Sequence, residues 1–308
     1  MRTNLSYRSQ MPVDELQLHA DAFAKHKHNC EYMAVTIVVE GEDMSAQRQY
    51  PYPEQANPYI EKTIKSLLTQ GLLRRCTSTA NSPIWPTKKP NGSWRLKINY
   101  RRLNQVTPTC APTVAKMPDL VKSFDPEAVW FTFLDISNSF WTLPLAHISQ
   151  YPFAFRFQGV QYSWTRLPQG YKSSPALFHA QIRQALSQFS KPTVLFQYVD
   201  DLCLATRTKK EHLERLDELL QILKEAGLKC NLAKAQLMAN CVSFLGLTLT
   251  KWGRTPAQQK VDAIQTLLLP QDPTALRSFL GLTGYYRDFI PNFASIAGPL
   301  YQLLKKSV

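Results

Sequence analysis

Two adjacent carboxylates, Asp200 and Asp201, stand between two short apolar runs, Val194–Phe196 and Leu202–Ala205. Runs of this length and composition are typical of β-strands, so the pattern predicts a hairpin with its acids at the turn. Neighbouring aspartates repel each other unless a cation lies against them, and Mg²⁺ is the hard cation that prefers carboxylate oxygen. The segment therefore predicts either a metal site or an Asp-rich turn in contact with solvent.

A third carboxylate, Asp135, ends the apolar run WFTFLD and precedes the break in pattern ISNSFW. An aspartate at a strand end often caps the next element, and that alternative stays open for Asp135 taken alone. Two strands that end in carboxylates can lie side by side in one sheet. Asp135 and Asp200 would then be close enough to share two divalent ions.

The elements that must position these acids follow a split βαβ order. It predicts an antiparallel sheet that is backed by helices and carries all three aspartates. His179, on the first of these helices, is predicted to be partly exposed. The predicted elements are a strand at Val129–Leu134, a helix opened by Ser174 and Pro175, the aspartate hairpin, a helix at Glu211–Ala226 and a strand pair at Ala235–Thr250.

Outside this core, turn and cap residues predict further elements. Asn57 is expected to cap a helix that ends at Gly71. A hairpin over Phe153–Trp164 is expected to turn at Gln158-Gly159. From Pro256 onward the pattern is helical, with Tyr285, Tyr286 and Phe289 predicted to be core residues rather than stacking platforms.

The composition predicts a globular protein that is large enough for two or more subdomains. The chain has 308 residues, of which 44% are apolar and 19% charged. No apolar run is long enough to span a bilayer, and the N-terminal residues lack the apolar core of a signal peptide. The six cysteines contain no CxxC pair and indicate neither a zinc site nor a disulfide framework.

The net charge of +13 favours a polyanionic partner, and nucleic acid is the commonest one for a protein with this many aromatic residues. The charge is densest in Lys88–Arg102, where six basic residues and no acidic one are interleaved with Trp94 and Tyr100. The dipeptide Asn91-Gly92 predicts a hairpin turn there. The hairpin is either a solvated basic surface or one that presents its arms to phosphates.

Five motifs, in this order along the chain, closely resemble those of the reverse transcriptases of retroviruses and long-terminal-repeat elements. They are FTFLDISNSF, RLPQGYKSSPALF, FQYVDDL, VSFLGL and LRSFLGLTGYYRDFIPNFA. The resemblance runs from about Gln49 to the C-terminus. The segment NSPIWPTKKPNGSWR is similar to vertebrate endogenous retroviruses of gammaretrovirus-like and spumavirus-like character. Because the sequence ends just after the implied thumb, the chain is expected to be a fragment of a pol polyprotein, a truncated endogenous copy or a gene-model remnant.

The resemblance implies an α+β fold of the right-hand polymerase type, with fingers, palm and thumb. The palm is expected to hold the split-βαβ antiparallel sheet, and the thumb to be helical. No connection or RNase H domain is expected after the thumb, so RNase H activity is not expected from this chain. The implied divisions are an N-terminal extension of unassigned function at 1–48, fingers at 49–108 and 143–173, palm at 109–142 and 174–251, and thumb at 252–308.

The implied activity is RNA-directed DNA synthesis by a two-metal-ion mechanism. Asp135 and Asp200 match the carboxylates that bind both Mg²⁺ ions, for which Mn²⁺ could substitute, and Asp201 matches a third, more peripheral one. One ion would lower the pKa of the primer 3′-hydroxyl, and the second would neutralise the triphosphate and the leaving pyrophosphate.

The resemblance also implies which residues contact the incoming dNTP. Arg95 matches an arginine that forks onto the triphosphate, and Lys89 is the expected companion lysine, with Lys88 as a competitor. Phe140 matches a bulky residue that excludes a ribose 2′-hydroxyl by shape.

Three further positions complete the implied nucleotide site. Gln169 matches the LPQG glutamine, which lies against the sugar and the template. The backbone amides of Asn138 and Ser139 could contact phosphate, although the family often has an acidic residue where Asn138 stands.

The implied partners are an RNA or DNA template-primer duplex and dNTPs, without a membrane and without an assigned oligomeric state. The implied location is the cytoplasm or a virus-like particle. Contacts with primer or template are implied for Tyr198, Val199, Phe244, Leu245, Gly246 and Leu247.

Three other classes of protein compete with this interpretation. A catalytically silent nucleic-acid-binding relic would tolerate loss of Asp135, Asp200, Gln169 or Phe140, but all four are present. A metal-dependent nuclease could use three aspartates without needing the LPQG segment or an aromatic sugar gate. An RNA-synthesising viral polymerase would use carboxylate-bound metal ions in the same way, but the aromatic Phe140 and the Tyr-Val before the aspartates argue for DNA synthesis.

Overall fold

The structure of the protein is a computed structural model that describes most of the chain. Asn138, predicted as a nucleotide contact, and most of the predicted N-terminal extension lie outside the described residues. The described residues are 34–39, 46–110, 117–137 and 139–305, without the side chains of Met117, Pro118, Val121 and Ser139.

Helices alternate with the sheet elements along the described residues and dominate the C-terminal part of the chain. They are α1 Asn57–Thr69, α2 Arg101–Val106, α3 Met117–Lys122, α4 His147–Gln150, α5 Ser174–Ala185, α6 Lys209–Glu225, α7 Gln258–Gln265, α8 Pro273–Tyr285 and α9 Phe293–Gln302. Single 3₁₀ turns occur at Glu54–Ala56, Ser139–Thr142, Tyr151–Phe153, Leu186–Gln188, Pro192–Val194 and Arg287–Phe289.

The strands are short and pair mainly in antiparallel hairpins. They are β1 Leu73–Arg75, β2 Thr87–Lys88, β3 Trp94–Arg95, β4 Trp130–Asp135, β5 Phe155–Phe157, β6 Val160–Trp164, β7 Leu195–Tyr198, β8 Asp201–Thr206, β9 Gln236–Ala239, β10 Cys241–Phe244, β11 Leu247–Thr250 and β12 Gly253–Pro256.

A four-stranded antiparallel sheet in the order β7-β8-β4-β9 is the centre of the fold. Along the chain its members follow the order β4, α5, β7–β8, α6, β9, which is the predicted split βαβ arrangement. Helix α6 packs on β8 and β4 and covers one face of the sheet. The predicted α+β fold class is therefore confirmed.

The remaining strands form three smaller sheets around this centre. One sheet has the order β1-β6-β5, a second has the order β10-β11-β12, and β2 pairs with β3 alone. The predicted turns at Asn91-Gly92 and at Gln158-Gly159 are both confirmed. The two glycines have φ angles of 79°, which glycine adopts without steric cost.

Two hydrophobic clusters hold the sheets to each other and to the helices. The larger cluster runs from α1 through β5 and β6 to α6. The second joins the four-stranded sheet to β10 and β11 through Phe131, Phe196 and Phe244, and it also takes in Tyr286. Burying each such side chain is worth about 1.5–3 kcal/mol, so the second cluster fixes the β10–β11 hairpin against the sheet.

A buried histidine links α6 to two strands of the sheet. The Nε2 and Nδ1 atoms of His212 lie 2.8 Å from the hydroxyl oxygens of Thr132 in β4 and Thr206 in β8. The Thr132 hydroxyl also accepts the backbone N–H of Met238 in β9 at 3.0 Å. Burial lowers the pKa of His212 to about 4, against a small opposing effect of Glu211, so the ring is neutral at neutral pH.

Two predictions about the elements are wrong in detail. Asn57 does not cap α1: the preceding 3₁₀ turn runs directly into the helix, so the N-cap position is Ala56, whose backbone is already helical. The predicted strand pair at Ala235–Thr250 is three strands in two sheets. The chain turns a corner at Asn240, where the side-chain amide donates to the carbonyl of Val129 at 2.9 Å.

Candidate active site

Asp200 and Asp201 lie at the turn of the β7–β8 hairpin, as the two apolar runs predict. Tyr198 and Asp201 are cross-strand partners, so Val199 and Asp200 form a two-residue turn. Val199 has a φ angle of 55°, a region that is sterically disfavoured for a β-branched residue. Strain of this kind costs about 1–3 kcal/mol and persists only where surrounding contacts hold it.

Gln197 ties this turn to helix α5. Its Nε2 donates to the carbonyl of His179 at 3.0 Å and to the carbonyl of Val199 at 3.4 Å. His179 was predicted to be partly exposed, but only 4% of its surface is exposed because this bond holds the helix against β7. Burial, with a smaller contribution from Arg183, lowers the pKa of His179.

The third predicted carboxylate stands beside this hairpin. Asp135 ends β4 and is the cross-strand partner of Asp201, the first residue of β8. The backbone N–H of Ile136 donates to the carbonyl of Asp200 at 3.0 Å, which holds the chain after β4 against the turn. The structure thus brings together Asp135, Asp200 and Asp201, the three aspartates that the sequence singled out.

The proximity of the three carboxylates changes their electrostatics. Burial, and then the negative charges of Asp200 and Asp135, raise the pKa of Asp201 to about 6, although the cation of Lys234 acts in the opposite direction. Lys234 lies with its Nζ 3.1 Å from Oδ1 of Asp135, whose side chain is 16% exposed. The site therefore concentrates negative charge that one lysine offsets in part.

Sequence reasoning missed Lys234. It follows the loop after α6, where nothing in the spacing indicates a contact with Asp135 some 99 residues away. The contact arises because the backbone N–H of Asn231 donates to the carbonyl of Asp135 at 2.8 Å. A lone lysine in a loop carries no signal that could have found it.

The chemistry of this donor set fits a hard divalent cation. All three side chains offer carboxylate oxygens, and the repulsion that raises the pKa of Asp201 is a cost that a bound cation would remove. Within the part of the chain that the structure describes, no three His, Cys, Asp or Glu side chains already stand in a metal-ligating arrangement. The aspartates would therefore supply part of an ion's coordination shell, and water or a bound molecule would supply the rest.

The basic hairpin β2–β3 presents its two candidate lysines on opposite faces. Lys88 is the cross-strand partner of Trp94, and the backbone N–H of Lys89 donates to the carbonyl of Ser93 at 2.7 Å. Because side chains alternate along a strand, Lys89 lies on the same face as Arg95, and Lys88 lies on the face of Trp94. This geometry favours Lys89 over Lys88 as the companion of Arg95.

The cations of this hairpin are available to a partner. Lys88, Lys89 and Arg95 are all exposed, and none of them has an ion-pair partner among the described residues. Each strand of the hairpin is only two residues long. The hairpin therefore offers positive charge from a short scaffold.

Two other predicted site residues lie on segments that pack against the sheet. Phe140 is partly buried in the 3₁₀ turn after β4, with its ring edge against Phe178 at a centroid distance of 5.7 Å. Gln169 is exposed and precedes Gly170, which has a φ angle of 92° and accepts a hydrogen bond from the Asn104 side chain at 3.0 Å. Ser139 begins the same 3₁₀ turn as Phe140.

The residues Phe244 to Leu247 form a tight hairpin at the end of β10 and β11. Phe244 and Leu247 are cross-strand partners, so Leu245 and Gly246 form a two-residue turn. Their φ angles are 51° and 76°. Positive φ at both positions is the signature of a type I′ turn, which suits glycine and asparagine but strains leucine.

Two tyrosines at the end of α8 contact this turn, and sequence reasoning did not anticipate the contacts. The Tyr285 hydroxyl donates to the carbonyl of Leu245 at 2.5 Å, and the Tyr286 hydroxyl donates to the carbonyl of Gly246 at 3.3 Å. The prediction that both are core residues is confirmed for Tyr286, which is 4% exposed, and wrong for Tyr285, which is 41% exposed. Tyr285 stays at the edge because its ring spans two separate elements.

Comparison with known proteins gives an independent view of the chain. A family model described as reverse transcriptase (RNA-dependent DNA polymerase) matches residues 87–249, just over half of the chain. The Pro-Pol polyprotein of simian foamy virus type 1 is 38% identical over 258 residues, which cover 84% of this chain and 22% of that protein. The Gag-Pol polyprotein of baboon endogenous virus (strain M7) is 38% identical over 270 residues, covering 84% of this chain and 16% of that protein.

Solved structures give the same result at the level of the fold. The foamy viral protease-reverse transcriptase in complex with double-stranded DNA superimposes with a TM-score of 0.88 at 32% identity, covering 98% of this chain and 54% of that one. The same kind of protein in complex with an RNA/DNA hybrid gives a TM-score of 0.84, covering 98% of this chain and 42% of that one. The chain spans about a fifth of the length of the curated relatives that it matches. Among the helices described, none has the length and apolar character needed to cross a membrane.

Proposed function

The chain belongs to the reverse transcriptase family, and on this premise we propose that it is an RNA-directed DNA polymerase core that extends a primer 3′-hydroxyl with dNTPs. The observation that carries the proposal is the convergence of Asp135, Asp200 and Asp201 at one end of the central sheet. Both RNA and DNA are proposed as templates, since the solved relatives are complexes with double-stranded DNA and with an RNA/DNA hybrid.

The proposed division of the chain follows the right-hand polymerase plan. The four-stranded sheet with α5 and α6 belongs to a palm at 109–142 and 174–251. The basic hairpin and the β1-β6-β5 sheet belong to fingers at 49–108 and 143–173. The helices from α7 onward belong to a thumb at 252–308.

Asp135 and Asp200 are proposed to hold two Mg²⁺ ions, with Asp201 as a more peripheral ligand and Mn²⁺ as a substitute. When bound, these ions would activate the primer 3′-hydroxyl and neutralise the triphosphate and leaving pyrophosphate. The protein's own contribution is to hold the carboxylates in a fixed position. The hydrogen bond from Ile136 to Asp200 and the pairing of β4 with β8 support that rigidity.

Lys234 is proposed to offset part of the negative charge of the three aspartates before the ions bind. Its ammonium group lies at hydrogen-bond distance from Asp135 and lowers the repulsion felt by Asp201. At 61% exposure its side chain can leave without disturbing the core. Binding of cations would therefore displace a weak ion pair rather than a buried one.

The nucleotide is proposed to bind between the basic hairpin and the aspartates. Arg95 would fork onto the triphosphate, and Lys89 on the same face of the hairpin would add a second cation. Phe140 would exclude a ribose 2′-hydroxyl, and its position is fixed by its contact with Phe178. Gln169 would lie against the sugar, with backbone amides of Asn138 and Ser139 near phosphate.

The primer is proposed to lie across two strained turns. Tyr198 and Val199 belong to the β7–β8 hairpin, and the residues from Phe244 to Leu247 form the second turn. Both turns pack on the same hydrophobic cluster, so they are held in a fixed relation to each other. A net charge of +13 supports a duplex with its phosphates on this surface.

A catalytically silent nucleic-acid-binding relic is the competing function. It would bind a duplex through the same basic surface without requiring the three carboxylates. The two functions differ in a single measurement, because only the polymerase extends a primer.

The test is extension of oligo(dT) on poly(rA) with dTTP and Mg²⁺, with the Asp200→Asn variant as the matched control. Extension by the parent alone is expected. Absence of extension in both proteins, with duplex binding retained, would contradict the proposal and favour the relic. In either case duplex affinity should fall steeply as salt rises, because phosphate contacts release counterions.

A further inference from the structure

The Leu245–Gly246 turn is strained in a way that its own sequence does not explain. A type I′ turn is favoured by Asn-Gly or Gly-Gly, because both central residues need a positive φ angle. Here the first central residue is a leucine with a φ angle of 51°. The conformation therefore needs support from contacts outside the hairpin.

That support comes from the two hydroxyls of Tyr285 and Tyr286, which bond the two carbonyls of the turn. Tyr285 donates to Leu245 at 2.5 Å and Tyr286 to Gly246 at 3.3 Å. The Gly246 carbonyl also accepts the backbone N–H of Ala257 at 2.9 Å. Both carbonyls of the turn are thus held from the side of the C-terminal helices.

The packing around Gly246 is adapted to this arrangement. A Cβ atom placed on Gly246 would lie 2.9 Å from the Tyr286 hydroxyl oxygen, closer than such atoms approach in proteins. The two tyrosine rings also brace each other edge to face, with centroids 4.7 Å apart. The glycine and the two tyrosines form one fitted unit.

The same unit shares a hydrophobic cluster with the β7–β8 hairpin. Tyr286 belongs to the cluster that contains Phe196 of β7, and Tyr198 packs against that cluster. Partial burial, followed by the neighbouring hydroxyls of Tyr286 and Tyr198, raises the pKa of Tyr285 to about 12, so its hydroxyl keeps its proton and remains a donor. The tyrosine pair therefore lies between the turn and the residues next to Asp200.

We propose that Tyr285 and Tyr286 are positioning residues that hold the Leu245–Gly246 turn in its type I′ conformation, and thereby aim the primer end at the aspartates. The proposal rests on the proposed polymerase function, in which this turn contacts the primer. Neither tyrosine needs to touch a substrate in this role. Their contribution is to keep one backbone conformation from relaxing.

The experiment combines Tyr285→Phe with Leu245→Asn. The first variant removes one hydroxyl and keeps the ring, and the second makes the turn Asn-Gly, which adopts type I′ without help. Tyr285→Phe alone is expected to lower kcat for single-nucleotide addition about fivefold, the equivalent of one hydrogen bond, with less than about a twofold change in KM for dNTP. In the Leu245→Asn background the same change should lower kcat less than about twofold.

The rescue distinguishes positioning from a general structural role. An equal loss of kcat in both backgrounds, or no loss in either, would overturn the proposal. Tyr301→Phe is the matched control, because Tyr301 is an exposed tyrosine of α9 whose hydroxyl, within the part of the chain that the structure describes, makes no hydrogen bond to the turn, and it should change kcat less than about twofold.

Hydrogen exchange separates failure of this inference from failure of the proposed function. Amide exchange over 243–250 should quicken about fivefold in Tyr285→Phe and stay near the parent rate in the double variant. This measurement needs no primer extension. If the parent does not extend a primer but exchange responds in this way, the polymerase proposal fails and the tyrosines still hold the turn. If exchange over 243–250 does not change in Tyr285→Phe, the proposed role of the tyrosines is overturned.

Discussion

Two hairpins carry the charges of the proposed reaction, and they are built in opposite ways. The β7–β8 hairpin holds Asp200 and Asp201 in the central sheet, where strand pairing and the contact with Ile136 fix the turn. The β2–β3 hairpin holds Lys89 and Arg95 on strands of two residues, with both side chains exposed. One hairpin is rigid and acidic, and the other is exposed and basic.

The difference shows which structural support each kind of charge requires. Like charges brought together repel, so the acids need a framework that holds them against that repulsion, and a raised pKa at Asp201 is the result. Exposed cations need no framework, because water solvates them until an anion arrives. The acidic hairpin is therefore preorganised, and the basic hairpin presents exposed cations without such a framework.

The largest expected effect tests the acidic site at the β7–β8 hairpin. Asp135→Asn keeps the shape of the side chain and removes its charge, so primer extension should fall on the order of a thousandfold, while thermal stability should hold or rise because one repelling charge is gone. Steady-state extension rates and a thermal melt measure both. Asp262→Asn, an exposed position on α7, is the control. Retention of more than a tenth of the activity would show that the preorganised carboxylates are not essential.

The next effect concerns the stability of the central sheet that carries the acidic hairpin. Below about pH 6.5 the unfolded state protonates His212, but the folded state keeps the ring neutral until about pH 4. At this residue the unfolded state then binds more protons, so His212 alone should lower the free energy of unfolding by about 2 kcal/mol between about pH 7.5 and pH 5. The raised pKa of Asp201 acts in the opposite direction over the same range, because there the folded state binds more protons, so the contribution of the histidine is measured against a variant that lacks it. Urea unfolding at the two pH values measures it.

A matched pair of variants isolates this histidine. His212→Gln should be less stable at neutral pH, and between about pH 7.5 and pH 5 its free energy of unfolding should fall by about 2 kcal/mol less than that of the parent. His147→Gln, at an exposed position, should follow the parent. An unchanged pH dependence in His212→Gln would assign the acid sensitivity to other groups. The cations of the basic hairpin are exposed, so in the folded protein the affinity for nucleotide should not change with pH as the stability does.

Substitutions in the exposed β2–β3 hairpin should change the binding of substrate and leave the thermal stability unchanged. Arg95→Ala removes a two-pronged donor, so KM for dNTP should rise about 10- to 30-fold, equivalent to about 2 kcal/mol, with the melting temperature within about 1 °C of the parent. Lys210→Ala, which removes a lysine at an exposed position of α6, is the control. A clear loss of thermal stability in Arg95→Ala would break the contrast between the hairpins.

The smallest effect uses the alternation of side chains within the basic hairpin. Lys89→Ala should raise KM for dNTP about fivefold, while Lys88→Ala, which removes the same charge one residue away, should raise it less than about twofold. Each serves as the control for the other. Equal effects would mean that the hairpin acts as a diffuse positive field rather than through one face.

Much of the fold could be predicted from the sequence because its signals are local. Apolar runs of strand length around Asp200 predicted the β7–β8 hairpin, and the turn dipeptides Asn91-Gly92 and Gln158-Gly159 predicted the β2–β3 and β5–β6 hairpins. The amphipathic period predicted α6, although the helix begins at Lys209, two residues earlier than expected, because Thr208 caps it through the backbone N–H of Glu211.

The parts that escaped prediction depend on contacts between distant residues. Lys234 meets Asp135, and Tyr285 meets Leu245, across long sequence separations that leave no periodic trace. The positive φ angle of Val199 is likewise imposed by packing, since a valine gives no local sign of it. The burial of His179 follows from a bond to Gln197 that cannot be read from its own helix.

The central place of β4 in the sheet has a consequence for the order in which the protein acquires its structure. Thr132 in β4 is tied to residues 80 and 106 positions further along the chain. Hairpins such as β5–β6 and β7–β8 close over short loops, whereas β4 must wait for β8 and β9 to be synthesised. We therefore expect a nascent chain to form the Asp200–Asp201 turn before Asp135 joins it, so that the three carboxylates come together late in folding.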